Sequence, residues 1–192
     1  MAPDRHLLVD AYNVIHAWPE LRALLVQHGP DAAQAKLIDA LRPIHDTEGW
    51  RVSIVFDGKG DEILIERPGT ELTFSLVYGP KGLSADGVIE QIVANTALPA
   101  EQDRRPSKRQ RHADAPEIVV ATRDNLLGES AAANGARLLS PTGLREWAGE
   151  AAARQTREVL ARQRLSGGDW KKAVSPWSKL QKVHREDAKK VQ

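Results

Sequence analysis

Three short stretches constrain this chain most: HLLVD at 6–10, RVSIVFD at 51–57 and EIVVAT at 117–122. A strand with one wet face alternates apolar and polar residues. These runs hardly alternate, which marks strands buried on both faces, as in parallel sheets sandwiched between helices. Two further strands are expected at ELTFSLVYG (71–79) and ARLLS (136–140). Between them, helical spacing appears at 31–48, at about 84–95, from Leu126 to an Asn134-Gly135 stop, and at 141–165. Asp31, after Pro30, is expected to cap the first of these helices, and Pro43 to kink or end it near Arg42. Five strands separated mostly by helices imply parallel crossovers. The expected fold is therefore an α/β, three-layer, Rossmann-like open sheet.

Each of the first two strands closes on an aspartate, Asp10 and Asp57, and Asp124 follows the 117–122 strand directly in VVATRDN. Asp86, in LSADGVIE, falls in the first turn of the helix after strand 71–79. In a parallel sheet the carboxyl ends of the strands share one edge, where open α/β folds bind ligands. Singly, each aspartate can be a helix cap, and for Asp86 and Asp124 that reading stays open. Together they pose an electrostatic problem. Two carboxylates about 4 Å apart repel by roughly 4 kcal/mol at an effective dielectric near 20. A cation offsets that repulsion, and magnesium or manganese suits an all-oxygen ligand set. Asn13, one turn past Asp10, either orients Asp10 or a phosphate, or caps the first helix.

The rest of the composition narrows the chemistry. The 192 residues suffice for one well-cored domain and carry a net charge of only +1, so any nucleic-acid contact must rest on local patches. There are no cysteines, which excludes disulfides, thiolate nucleophiles and Cys-based zinc sites and fits a reducing, cytoplasmic setting. No leader or membrane-spanning run is apparent. No Walker A loop, G-x-G-x-x-G fingerprint, zinc-spaced histidine pair or G-x-S-x-G elbow occurs.

LLVDAYNVIHAWPEL, VSIVFDGKGD, LSADGVIEQIV and IVVATRD together resemble the motifs of the NYN domain family, in its YacP-like bacterial branch. The resemblance runs from about Leu7 to Trp147. It implies a PIN-like nuclease fold with strand order 3-2-1-4-5 and metal-dependent cleavage of RNA. It also implies a site of Asp10, Asn13, Asp57, Asp86 and Asp124, with Asp10, Asp86 and Asp124 as ligands of Mg2+ or Mn2+. Gly87 departs from the small polar residue more usual there, and the 99–116 loop is longer than the pattern requires.

That loop carries Arg104, Arg105, Lys108, Arg109 and Arg111, and the sequence divides into a nuclease-like domain at 1–165 and a basic tail at 166–192. In the tail, Lys171 and Lys172 lie between Trp170 and Trp177. The basic residues suit RNA phosphates and the tryptophans suit unpaired bases; the alternative for the tail is a solvated segment. Two functions remain open. One is a metal-dependent endoribonuclease acting on mRNA or other single-stranded RNA, on or off the ribosome. The other is a non-catalytic RNA- or ribosome-binding module.

Overall fold

The computed structural model describes residues 5–97 and 116–170. The chain divides into two compact units, residues 1–152 and 153–192. The loop cations Arg104 to Arg111 and the tail residues Lys171, Lys172 and Trp177 lie outside the described residues.

The elements run β1 (Arg5–Asp10), α1 (Ala11–Ala17), α2 (Pro19–His28), α3 (Pro30–Glu48), β2 (Arg51–Gly60) and β3 (Leu64–Glu66). They continue with β4 (Phe74–Pro80), α4 (Ala85–Ala97), β5 (Glu117–Ala121), α5 (Asn125–Ala133), β6 (Arg137–Leu139) and α6 (Pro141–Trp170). The sheet order is β3-β4-β2-β1-β5-β6. All pairings are parallel except β3 with β4. Without β3 this is the expected 3-2-1-4-5 order. β3 is the sixth strand, absent from the five-strand expectation. It has three residues, all exposed, and pairs only at the sheet edge, so no buried apolar run announces it.

Burial follows strand parity. Leu7 and Val9 enter one core with Val52, Ile54, Phe56 and Phe74, closed by Leu37, Leu41 and Ile44 of α3 and by Leu144 and Ala148. Leu8, Val55, Val77, Ile118 and Val120 enter the other, under Val88, Ile89 and Val93 of α4 and Leu127 of α5. Alternate residues feeding two cores is why β1 reads as continuously apolar.

Two helical expectations need correction. α3 does not stop near Arg42: it runs through Pro43 to Glu48, ending at Gly49 with φ 69°. Pro43 is itself buried between Leu41 and Ile44, and that burial offsets the lost backbone bond. The first cap position of α3 is Gly29, not Asp31, because Pro30 occupies the first helical turn; Asp31 contributes charge there without a capping bond.

Candidate nucleic-acid processing site

β1 lies between β2 and β5, and Asp10 aligns with Val55, two residues before Asp57. Parity therefore puts Asp10 and Asp57 on the face covered by α4 and α5. At the end of β2 the backbone runs so close to β4 that a Cβ on Gly58 would meet the Gly79 carbonyl oxygen at 2.1 Å. Only glycine fits there, and this close approach sets the position of Asp57 beside the start of α4.

Three of the four aspartates hold helix starts. Asp10, only 3% exposed, caps α1: its Oδ1 accepts from the Asn13 backbone N–H at 3.1 Å and its Oδ2 from Asn13 Nδ2 at 2.5 Å. Asp57 Oδ1 accepts from the Ala85 N–H at 3.0 Å and so caps α4 from a neighbouring strand. Asp124 Oδ1 accepts from the Leu126 and Leu127 N–H groups at 2.7 and 3.1 Å, capping α5. Thr122 accepts from the Asp124 N–H at 3.0 Å, fixing the turn. Neither Thr122 nor the Asp57 cap was singled out from sequence. The Thr-x-Asp spacing is a legible turn signal, whereas the Asp57 bond crosses 28 residues and leaves none.

Asp86 is the exception. The Gly87 N–H points to Ser84 Oγ at 3.4 Å and the Ala85 N–H to Asp57, so the start of α4 makes no call on Asp86. Its Oδ1 is buried and, among the described residues, has no hydrogen-bond partner. Burial first, then a hydrogen bond to Asp10 when protonated, then the charges of Asp10, Asp124 and Asp57, push its carboxyl up from 3.8 to about 6. Every one of those influences raises it; no cation appears among them. Asp86 thus lies within electrostatic reach of the other three. Gly87, the departure from the family pattern, packs against Leu83: a Cβ there would meet Leu83 Cδ1 at 2.7 Å. Among the described residues, no three His, Asp or Glu side chains converge into a ready-made cation cage.

Beside this edge stands an aromatic group. Phe56 stacks on Tyr78 at 5.1 Å, and Tyr12 meets Phe56 edge-on at 6.2 Å while its hydroxyl accepts from Gln34 Nε2 at 3.2 Å. Burial, helped by Glu66, Tyr12 and Asp31, raises the Tyr78 hydroxyl above its ordinary value, so it stays protonated.

The model of the YacP-like NYN domain family matches residues 7–190. The chain belongs to that family. Its sheet and helices are those of the PIN-like ribonuclease fold, and NYN domains are generally nucleases. It is similar to the crystal structure of Rae1 (YacP) from Bacillus subtilis, with a TM-score of 0.62, 25% identity, and coverage of 94% of this chain and 95% of that one. A single-substitution mutant of the same protein matches with a TM-score of 0.59 and 24% identity over 82% of each chain. No curated protein matches. Among the described residues of this YacP-like chain, no helix is long and apolar enough to cross a membrane.

Proposed function

We propose that this YacP-like NYN protein is a divalent-metal-dependent endoribonuclease. The observation that carries the reading is Asp86: a buried carboxylate oxygen without a donor among the described residues, with the charges of Asp10, Asp124 and Asp57 bearing on it. Such a group fits a hard cation, and a set of carboxylate oxygens suits Mg2+ or Mn2+. Asp10, Asp86 and Asp124 would hold it. When bound there, the ion supplies positive charge against the phosphoryl oxygens and acidifies the attacking water. Asn13 orients Asp10 through both of its nitrogens, and Asp57 holds the start of α4, and with it Asp86, at the strand ends. The substrate is RNA, free or carried by ribosomes. The basic loop and tail are its expected phosphate and base contacts, and the setting is cytoplasmic.

A second reading draws on the capping bonds: carboxylates engaged at helix starts also suit a non-catalytic RNA-binding module. It leaves the negative charge around Asp86 without a use, since clustered carboxylates repel an RNA backbone.

The test is cleavage of total RNA and of polysomes, with Mn2+ or with chelator. Asp10→Asn, Asp86→Asn and Asp124→Asn should each lower the rate at least about a hundredfold, the size expected for losing several kcal/mol of charge stabilisation. Calorimetry should show Mn2+ binding weakened in Asp10→Asn, and weakened in the native protein as pH falls below about 6, where Asp86 takes its proton. Cleavage insensitive to chelator, or unchanged by all three substitutions, would refute the reading.

A further inference from the structure

The outer side of α1 leads away from the carboxylate edge. Ala11, Val14 and Ile15 are buried, whereas His16 is exposed and Tyr12 and Asn13 are half-buried. His16 sits six residues after Asp10, about 9 Å along the helix axis at 1.5 Å per residue. Its ring lies 6.5 Å from that of Tyr12. On its other side His16 opens onto a shallow concavity of about 410 Å³, formed with Ala17, Pro19, Arg22, Ala23, Val26 and Gln27.

That concavity has two chemistries. Its floor is apolar and small-sided, from Ala17, Pro19, Ala23 and Val26, and Val26 is 80% exposed. Its rim is polar: His16, Arg22 and Gln27. Arg22 is exposed and, among the described residues, makes no ion pair or side-chain hydrogen bond. The adjoining Glu20 is held by Arg145 at 2.8 Å. Burial pushes its carboxyl up, but its own backbone hydrogen bond, Arg145 and the charge of Lys36 outweigh this and lower it. Arg22 is thus the one Arg, Lys, Asp or Glu side chain lining the concavity, and its acidic neighbour Glu20 is already engaged by Arg145.

We propose that this concavity is a nucleotide subsite for single-stranded RNA, next along the strand from the carboxylate edge. The inference rests on the ribonuclease reading and adds to it where the substrate lies. An unpaired base rests its face on Pro19, Val26 and the His16 ring, a contact open to every base because each has a π-face. The phosphate beside it meets Arg22. A folded duplex keeps its bases stacked inward and cannot offer one to such a floor, so the subsite selects single strands. Cation and apolar floor together hold a strand that the carboxylates alone would repel.

The test measures binding of a fluorescent oligouridylate to the full chain in chelator, where cleavage is stopped, across a salt series. Val26→Asp should weaken binding about tenfold, the size of one lost base contact. Arg22→Gln should flatten the slope of log affinity against log salt by about 0.7, one phosphate's share on a single strand. Both positions are exposed, and thermal midpoints within a degree or so of the native protein would separate lost contacts from lost folding. Asp10→Asn is the contrast: it should lose cleavage in Mn2+ yet bind the oligonucleotide in chelator more tightly than the native chain, because it removes a charge that repels the backbone. If the native protein binds RNA and both variants bind it equally well, the subsite is wrong and the ribonuclease reading stands. If the native protein binds without cleaving under any metal, the catalytic reading fails and the two variants still decide the subsite. If it neither binds nor cleaves, both fall.

Discussion

The two faces of the sheet are built from different materials. The face under α1 to α3 and the start of α6 buries Trp18, Trp50, Phe56 and Phe74 among its aliphatics. The apolar side chains buried on the face under α4 and α5 are Leu, Ile, Val and Ala, and beside them runs a buried polar row of His6, Ser53 and Ser75. Polar anchors tie down the aromatic face: Trp18 Nε1 donates to the Pro141 carbonyl at 2.7 Å, and Trp147 Nε1 to Glu48 Oε2 at 2.8 Å. All four aspartates belong to the other face, two by strand parity and two through α4 and α5. Burying large rings is strongly stabilising, while gathering like charges is destabilising. Separating the two across a sheet lets one side tolerate what the other offsets.

The largest expected effect tests the aromatic face. Phe74→Ala should cost about 3–5 kcal/mol, against about 0.5–1.5 for Ile89→Val on the aliphatic face, both read from urea midpoints. A smaller loss at Phe74 than at Ile89 would break the contrast.

Next comes the cap that crosses the sheet edge. Asp57→Ala should cost about 1 kcal/mol, or roughly 2–4 °C in thermal midpoint, by freeing the Ala85 N–H. Asp57→Asn, which keeps an acceptor oxygen, should cost markedly less. Equal losses would mean that the charge, not the bond, holds α4.

Asp86 should behave in the opposite sense. Its carboxyl titrates near 6 in the folded chain against 3.8 for an unperturbed aspartate, so the folded state holds the proton more tightly than the unfolded one. The resulting stabilisation is full below about pH 4 and is lost as pH rises through about 6. Asp86→Asn escapes that loss. In chelator it should be more stable than the native protein near neutral pH, by about 1 kcal/mol once solvent screening on its open side is allowed for, and no more stable in acid. A neutral-pH advantage that persists unchanged at pH 4 would assign the effect to packing.

The smallest effect belongs to the exposed Glu20–Arg145 pair. Glu20→Gln should cost a few tenths of a kcal/mol, fading as salt is raised. Because the Glu20 carboxyl is lowered in the folded chain, its contribution is present at neutral pH and disappears as the solution is acidified past 4.5. A loss as large as that of Asp57→Ala would make the pair a structural anchor rather than a solvated surface contact.

The sequence by itself determined the sheet's class, because a strand buried on both faces must be apolar at successive positions, and Leu7, Leu8 and Val9 are; the strand order came with the family resemblance, not with the apolar pattern. It also determined that Asp10 closes β1 and that Asp124 follows β5, whereas Asp57, expected to close its strand, lies at a break in the β2 register and β2 runs on to Gly60. Local signals misjudged what depends on distant partners. Pro43 reads as a helix breaker until its ring is seen buried in the core, and β3 carries too little burial to leave a pattern. Only the tertiary structure decided how the carboxylates divide their work. Asp57 reaches the Ala85 N–H across 28 residues, Ser84 serves Gly87, and Asp86, under the charges of the other three aspartates, has an Oδ1 without a donor among the described residues. Periodicity reports which face a residue occupies. A hydrogen bond between remote segments, and the field that several of them create together, exist only once the chain has closed.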